Sequence, residues 1–318
     1  MIYKKCILDK IFNYNFYRED TFIMSIKLKS YIYISLVCLF WGFSFISTKI
    51  CLQWFTPFSL AFFRFLIASI ILYFTLKLTK QDVKIDKKDI FRFIICSFFG
   101  VFIYFSTENL AIDMLSASLT SILLAMLPAF TIVADYFVLK TPFTKRNVLS
   151  VILSVLGAIL VAGFEVGGSK SMVLGIILII ASAIAWVIFG YLSLPLQTKY
   201  SPLKATFYQN LFGMFFFMLV MPFNVPSFEG FNVGGLLHLL FLGVICSALC
   251  YLLYNIAIKH ISVMVSNIFI NLMPIVTIVA SMLVLNEKIS LLQGIGGVLM
   301  IGSVFIISNN EKKENSVE

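Results

Sequence analysis

Charged residues are scarce in this chain of 318 residues. They make up 12% of it, whereas 60% of the residues are apolar and the mean hydropathy is +1.00. A soluble domain of this length needs far more charge to cover its surface. The composition therefore excludes an ordinary soluble protein and indicates that lipid is the solvent.

Residues that bind metals, form disulfides or carry out catalysis are also few or badly spaced. The two histidines, His238 and His260, lie toward the ends of apolar runs, and no HExxH, GxSxG or phosphate-binding loop occurs. The six cysteines show no CxxC motif and no Cys/His cluster. We therefore expect no catalytic residue, no metal and no cofactor, and we interpret the cysteines as small apolar side chains.

Long apolar runs are what the sequence has instead. Ten runs have the ~17–25 residues that a helix needs to cross a bilayer. They are continuous rather than alternating, which favours helices over a β-barrel. The runs cover residues 31–50, 58–76, 91–111, 116–139, 147–164, 172–194, 203–222, 235–257, 262–285 and 290–308. The sequence thus predicts an all-α integral membrane protein with ten transmembrane helices.

Basic residues fall almost entirely on one side of these predicted helices. Twenty of the 24 Lys and Arg residues lie on the side that holds both termini, whereas Lys49, Lys170 and Lys288 lie on the other. Cytoplasmic loops carry such an excess, so we expect a multi-pass protein of the cell (inner, cytoplasmic) membrane with both termini in the cytoplasm. Because the lysines lie in short loops, we expect the net charge of +9 to reflect this orientation and not binding of nucleic acid.

The two halves of the chain resemble each other at a nearly constant offset. The pattern P-x-x-T-I-V-A-x-x-x-V-L begins at Pro128 and returns 146 residues later at Pro274, and Trp41 matches Trp186 at an offset of 145. Each half has five helices, an odd number, so the second repeat is inverted relative to the first. Inverted repeats are a common plan for secondary transporters, which hold a small-molecule substrate near the midplane between the halves.

We expect the first repeat to cover residues 31–164 and the second to cover 172–308. A cytoplasmic segment, 1–30, precedes them and a cytoplasmic tail, 309–318, follows. Residues 1–23 are charged and have no secretory hydrophobic core, whereas Met24 opens a sequence typical of the start of a bacterial membrane protein. We therefore expect 1–23 to be an upstream start-site extension, which N-terminal sequencing of the purified protein tests.

Short motifs recur in a fixed order through both halves. They are Trp41-Gly42 with Phe45, Arg64-Phe65-Leu66, Asn109-Leu110-Ala111, the stretch from Ser116 to Pro128, Tyr254-Asn255-Ile256-Ala257, Pro274, Leu285-Asn286-Glu287-Lys288, Gln293, Gly296 and Gly302. This set is similar to the EamA-type repeat of the drug/metabolite transporter superfamily over residues 31–308. The first half departs from the pattern at Thr141, because such repeats usually end their fourth helix with Glu, as Glu287 ends the ninth here.

The resemblance implies transport and leaves the substrate open. Members of the superfamily export amino acids and other metabolites, and related families carry sugars or nucleotide sugars. We therefore expect an exporter of amino acids or related small metabolites that works by alternating access, with a sugar, nucleotide-sugar or drug transporter as the alternative. An intramembrane enzyme would need a nucleophile–base pair or a metal cluster, and an ion channel would need a filter sequence; neither pattern is present.

Two charged residues lie inside predicted helices. Arg64 and Glu108 both fall in the half of the membrane away from the termini, within ~5 Å of each other in depth at ~1.5 Å of rise per residue. Charge in hydrocarbon is costly, so it usually faces a cavity or a partner. We predict a pair that lines the pathway and binds a carboxylate or forms a gate. The alternatives are a fixed ion pair between helices two and three, or a pair between Glu108 and Lys49.

Other polar and aromatic residues are candidates for the same pathway. At the repeat offset Arg64 corresponds to Gln209, and Glu108 corresponds to Tyr254, in the opposite half of the membrane. Trp41 and Trp186 lie near the middle of their helices, which favours an aromatic wall around a substrate or plain helix packing. Asn271 is also midplane and needs a hydrogen-bond partner or a cavity.

Prolines and glycines mark further positions in the helices. Pro128 and Pro274 interrupt helices four and nine at matching depths, where proline frees a carbonyl and bends the helix. The last helix carries Gly294, Gly296, Gly297 and Gly302. Small residues let helices approach closely, so this face is expected to be an internal contact or the contact of a homodimer.

Overall fold

Ten long helices make up the part of the chain that the computed structural model describes, residues 2–141, 144–163 and 170–314. In order they are α1 (Ile2–Cys51), α2 (Pro57–Leu78), α3 (Lys87–Met114), α4 (Ala117–Val138), α5 (Lys145–Gly163), α6 (Lys170–Lys199), α7 (Pro202–Val220), α8 (Val233–Ile261), α9 (Val263–Val284) and α10 (Leu291–Glu314). Eight of these described helices are long and apolar enough to cross a membrane, all except α5 and α10. Those two contain the shorter apolar stretches Val148–Gly157 and Leu291–Ser303, so the expected ten-helix architecture is confirmed.

The chain reverses direction after each helix, which gives the bundle two faces. The terminal face carries the loop 79–86, the loop residues 139–141 and 144, and residues 200–201 and 262. The distal face carries the loops 52–56, 115–116, 224–232 and 285–290. Each half contributes five helices, so the second half crosses the membrane in the opposite sense to the first. The expected pair of inverted repeats is thereby confirmed.

The repeat is visible in the irregularities of the helices. α4 is broken at 125–126 and α9 at 271–272, and in each case a proline, Pro128 or Pro274, is the second residue of the following segment. α3 contains a π-helical segment, Phe98–Ile103, and α8 contains another, Phe241–Leu249, at the corresponding depth. Because π segments add a residue to a turn, they change which side chains of the rest of the helix face inward.

Helices of one repeat pack mainly on helices of the other. α1 lies against α8 and the second segment of α9, α2 lies against α7, α3 against α6, and α5 against α10. Close approach is possible where glycine faces a large side chain. A Cβ atom on Gly100 would lie 2.0 Å from the Cδ2 atom of Phe189, and a Cβ on Gly213 would lie 2.2 Å from Cγ1 of Val101. The centre of the bundle is therefore formed jointly by both halves.

The loops of the two repeats also contact each other on each face. On the terminal face, Lys199 forms ion pairs with Asp86 and Asp89, and the hydroxyl of Tyr200 donates a hydrogen bond to Asp89 at 2.7 Å. Burial and this hydrogen bond raise the pKa of Tyr200, which lies between two helices, so the hydroxyl stays a donor. We call this group the ionic loop contact.

The corresponding contact on the distal face is aromatic. The rings of Trp54 and Phe55 lie 5.6 and 5.5 Å from the ring of Phe231, centroid to centroid, at nearly perpendicular angles. At the repeat offset of 145, Trp54 and Phe55 correspond to Lys199 and Tyr200 of the ionic loop contact. We call this group the aromatic loop contact. Both contacts are closed in the same structure, so they hold the two halves together at both faces.

Candidate functional site

A narrow cavity lies between α1, α2, α3, α6 and the break in α9. Its side chains leave room for little more than a water molecule in this conformation. It is lined by Trp41, Ser44, Phe45, Arg64, Tyr104, Phe105, Glu108, Trp186 and Met273. Four of the sequence-predicted residues are thus brought together here, namely Arg64, Glu108, Trp41 and Trp186.

The two charged residues reach the cavity from neighbouring helices. Arg64 lies seven residues after the start of α2 and Glu108 six residues before the end of α3, which places both within ~11 Å of the distal ends of their helices at ~1.5 Å per residue. α2 starts at a well-defined position, because the Thr56 hydroxyl caps it and Pro57 follows. The cavity therefore lies in the distal half of the bundle.

Arg64 is held in place from the second repeat. Its Nε atom donates a hydrogen bond to the Ser247 hydroxyl of α8 at 2.5 Å. Its guanidinium carbon lies 4.3 Å from the centroid of the Phe105 ring, a geometry that stabilises a cation. The residue is only 2% exposed. Among the described residues Ser247 is its one hydrogen-bond acceptor, so the far edge of the guanidinium is available to the cavity.

Glu108 is held by its own helix. The Tyr104 hydroxyl, one turn earlier and directly after the π segment of α3, donates a hydrogen bond to Glu108 Oε1 at 2.7 Å. Residues four apart lie on the same face of a helix, so Tyr104 and Glu108 enter the cavity together. No other hydrogen bond to this carboxylate occurs within the described ranges, and its second oxygen remains available.

The described residues form neither of the direct ion pairs that the sequence suggested for these charges. The described residues contain no ion pair between Arg64 and Glu108 within 4.0 Å. Lys49 does not pair with Glu108 either, because its ammonium donates to the backbone carbonyls of Ile112, Asp113 and Leu115 at the end of α3. Arg64 and Glu108 therefore face one cavity as separate charges, each held by a neutral hydroxyl.

The two tryptophans meet at the wall of the cavity. Their ring centroids are 5.2 Å apart and the planes are nearly perpendicular, at 86°, which is a favoured arrangement of aromatic rings. Trp41 is fixed by a hydrogen bond from Nε1 to the Cys246 carbonyl at 3.0 Å. Tyr254 lies 5.0 Å from Trp186 and 5.7 Å from Trp41. With Tyr251, these rings form an aromatic layer between the cavity and the terminal half of the bundle.

Gln209 and Asn271 do not line the cavity. Gln209 is fully buried, accepts a hydrogen bond from Asn255 at 2.8 Å and donates one to the Cys96 sulfur. Asn271 lies at the break of α9, buried, and its side-chain amide meets no hydrogen-bond partner in the part of the chain that the structure describes. Gln209 therefore belongs to a polar cluster in the terminal half, and the interhelical bond expected for Asn271 is not formed here.

Several residues of the site were not singled out from the sequence. Tyr104 carries a signal that sequence reading can use, because it lies four residues before a buried carboxylate. Ser247 carries none, since it lies 183 residues from Arg64 along the chain. Ser44, Phe105 and the α9 residue Met273 are ordinary membrane residues, whose role in the cavity depends on how the helices pack.

Glu287 has a structural partner across the repeats. Its two carboxylate oxygens accept hydrogen bonds from the backbone N–H groups of Ala117 and Ser118, at 2.8 and 3.0 Å, and from the Ser118 hydroxyl at 2.6 Å. The Ser118 hydroxyl also contacts that of Ser281 in α9. Glu287 thus caps the start of α4 on the distal face, whereas Thr141 stands at the corresponding place of the first repeat.

Comparison with known proteins gives a consistent result for both halves. The profile of the EamA-like transporter family matches residues 28–163 and 173–309. An uncharacterized transporter of Clostridium kluyveri is 28% identical over 302 residues, which are 89% of this chain and 94% of that protein. The uncharacterized transporter YetK of Bacillus subtilis is 24% identical, and the alignment covers 98% of this chain and 97% of that protein.

Two further similarities concern a named activity and the fold. A probable terminal-alkyne amino-acid exporter of Streptantibioticus cattleyicolor is 24% identical over 192 residues, 60% of this chain and 64% of that protein. A solved crystal structure superposes with a TM-score of 0.64 at 14% sequence identity, covering 91% of this chain and 98% of that one. At that identity the superposition shows a shared fold.

Proposed function

The chain belongs to the EamA-like transporter family, and on that basis we propose that it is a secondary transporter that exports amino acids or related small metabolites by alternating access. The observation that carries the proposal is the cavity, whose walls come from both repeats and hold two buried charges of opposite sign. A bundle that only had to pack would not need such charges in its interior. The substrate passes through without chemical change.

The orientation follows from the distribution of basic residues. Twenty Lys and Arg residues belong to the terminal face and three to the distal face, so the terminal face is cytoplasmic and the distal face is outside. In this orientation the cavity lies on the outer side of the aromatic layer. The protein lies in the cytoplasmic membrane, with the repeats covering residues 31–164 and 172–308.

Two observations favour an amino acid or a related metabolite over a sugar. Arg64 presents a fixed guanidinium edge to the cavity, which suits a carboxylate. One relative of this chain is named a probable amino-acid exporter.

The test is a comparison of the extracellular metabolites of cells that express the wild type, Arg64→Ala or an empty vector. Membrane levels of the two proteins are matched by immunoblot. We expect a carboxylate-bearing metabolite to accumulate outside only with the wild type, because alanine removes the guanidinium from the cavity. Arg64→Lys, which keeps the charge but not the planar group, should export at an intermediate rate.

Two results would contradict the proposal. The first is that the extracellular metabolites of the three cell lines are the same and radiolabelled amino acids do not enter vesicles reconstituted with the wild type. The proposed transport of amino acids or related metabolites is then wrong. If both Arg64 variants export as well as the wild type, the cavity is not the substrate site.

A further inference from the structure

The separation of the two buried charges is the feature that the proposed function leaves unexplained. Arg64 and Glu108 face the same cavity, yet no ion pair joins them within 4.0 Å. Each is instead fixed by a hydroxyl, Ser247 for the guanidinium and Tyr104 for the carboxylate. Neither hydroxyl neutralises a charge, so both charges are only partly compensated in a region from which water is largely excluded.

We infer that the cavity recognises a zwitterion, with the ligand's carboxylate on Arg64, its ammonium group on Glu108 and its apolar part against the aromatic layer. This inference rests on the proposed function, because it names the substrate class of the same site. It goes further in assigning one ligand group to each charge. A solute with a single charge, or with none, is disfavoured because it leaves a buried charge without a partner.

The fixed side chains make this recognition geometric as well as electrostatic. The Ser247 bond holds the Nε edge of Arg64, so the remaining N–H groups of the guanidinium point to a ligand as a planar fork. The Tyr104 bond occupies Oε1 of Glu108, so Oε2 is the oxygen left for an ammonium group. A ligand with both groups replaces the missing ion pair by two charge-assisted hydrogen bonds.

The walls limit what lies between and beside these two groups. The faces and edges of Trp41, Trp186 and Phe105 surround the space next to the charges, and such rings bind apolar groups. In this conformation the cavity leaves room for little more than a water molecule, so a ligand enters only when these rings move apart. A single α-amino acid with an apolar side chain has all the required groups.

The experiment measures binding, so that it does not depend on transport. The full chain is purified into lipid nanodiscs, and its unfolding temperature is recorded with each of the common L-amino acids at millimolar concentration. For the amino acid that stabilises most, two analogues follow, one without the ammonium group and one without the carboxylate. For leucine these are isocaproate and isoamylamine. We expect each analogue to bind at least about tenfold more weakly, the loss typical of one charged hydrogen bond.

The variants assign the two ends of the ligand. In the Glu108→Gln variant, the amino acid should bind no more tightly than the analogue without the ammonium group. In the Arg64→Gln variant, the amino acid should bind no more tightly than the analogue without the carboxylate. Asp135→Asn is the matched control, because Asp135 is a carboxylate of a spanning helix that bonds to Tyr191 and does not line the cavity. It should leave the discrimination unchanged.

The inference is overturned if no amino acid stabilises the wild type, or if either analogue binds as tightly as its parent. It is also overturned if Asp135→Asn removes the discrimination as Glu108→Gln does. If Arg64→Gln is not recovered from the membrane, the analogue series on the wild type decides. Zwitterion binding without export would contradict the proposed function alone, and export of a metabolite with one charge would contradict this inference alone.

Discussion

Glu287→Gln changes the contact that joins the α9–α10 loop to the start of α4. The carboxylate accepts two backbone hydrogen bonds, from Ala117 and Ser118, and a third from the Ser118 hydroxyl. Glutamine has nearly the same shape but only one acceptor oxygen. Its NH₂ group would face a second N–H donor, so at least one N–H group at the helix start loses its partner.

The size of the effect follows from these bonds. A hydrogen bond to a charged group contributes about 1.5–3 kcal/mol, and a negative charge at a helix N-terminus contributes about 0.3–1 kcal/mol more. Since glutamine keeps one neutral hydrogen bond, we expect a net loss of about 2 kcal/mol in the conformation where the contact is closed. If the distal face opens by separating α4 from the α9–α10 loop, the open population rises about 30-fold.

A cysteine in the cavity reports this opening. Ser44→Cys places a thiol among the cavity residues, and its rate of reaction with a polar maleimide is measured in nanodiscs with and without Glu287→Gln. Glu229→Gln is the control, since Glu229 is an exposed carboxylate of the distal-face loop 224–232. We expect the rate to rise about 30-fold with Glu287→Gln only. An unchanged rate would refute the idea that this contact closes the distal face.

Two further substitutions test the packing around the site. Trp41→Phe keeps an aromatic ring but removes the hydrogen bond to the Cys246 carbonyl, and we expect it to lower the free energy of unfolding by about 1 kcal/mol, measured by denaturation in detergent. Gly100→Ala places a Cβ 2.0 Å from a ring atom of Phe189; we expect a loss of about 1–3 kcal/mol and a lower yield of folded protein. Gly294→Ala, with no atom within 4 Å of its new Cβ, should match the wild type in both measurements.

Much of the fold could be predicted from the sequence because lipid imposes simple rules. An apolar run of spanning length has to be a helix, and its residue count gives its span. The prolines and the repeat marked the places where α4 and α9 are broken, since a proline at the same depth in both halves interrupts the same backbone hydrogen bond. The π segments of α3 and α8 were not predicted, because no residue type is reserved for them.

The sequence predicted several residues of the site but not the contacts that they make. Helical rise converts a residue number into a depth, which is why Arg64 and Glu108 were expected at the same level. It does not give the rotation of one helix against another, and that rotation decides whether the two side chains meet. The hydroxyl that holds Arg64 comes from Ser247 in the other repeat, and no local pattern in the sequence connects the two.

The hydrogen bond between Arg64 and Ser247 has a consequence for the order of assembly. During synthesis α2 enters the membrane long before α8 exists, so the guanidinium has no Ser247 to bind until most of the second repeat has been inserted. The N–H groups of Ala117 and Ser118 at the start of α4 likewise lack their carboxylate acceptor until Glu287 has been made. The first five helices can therefore enter the bilayer in sequence, but Arg64 and the start of α4 find these partners only when the later helices arrive.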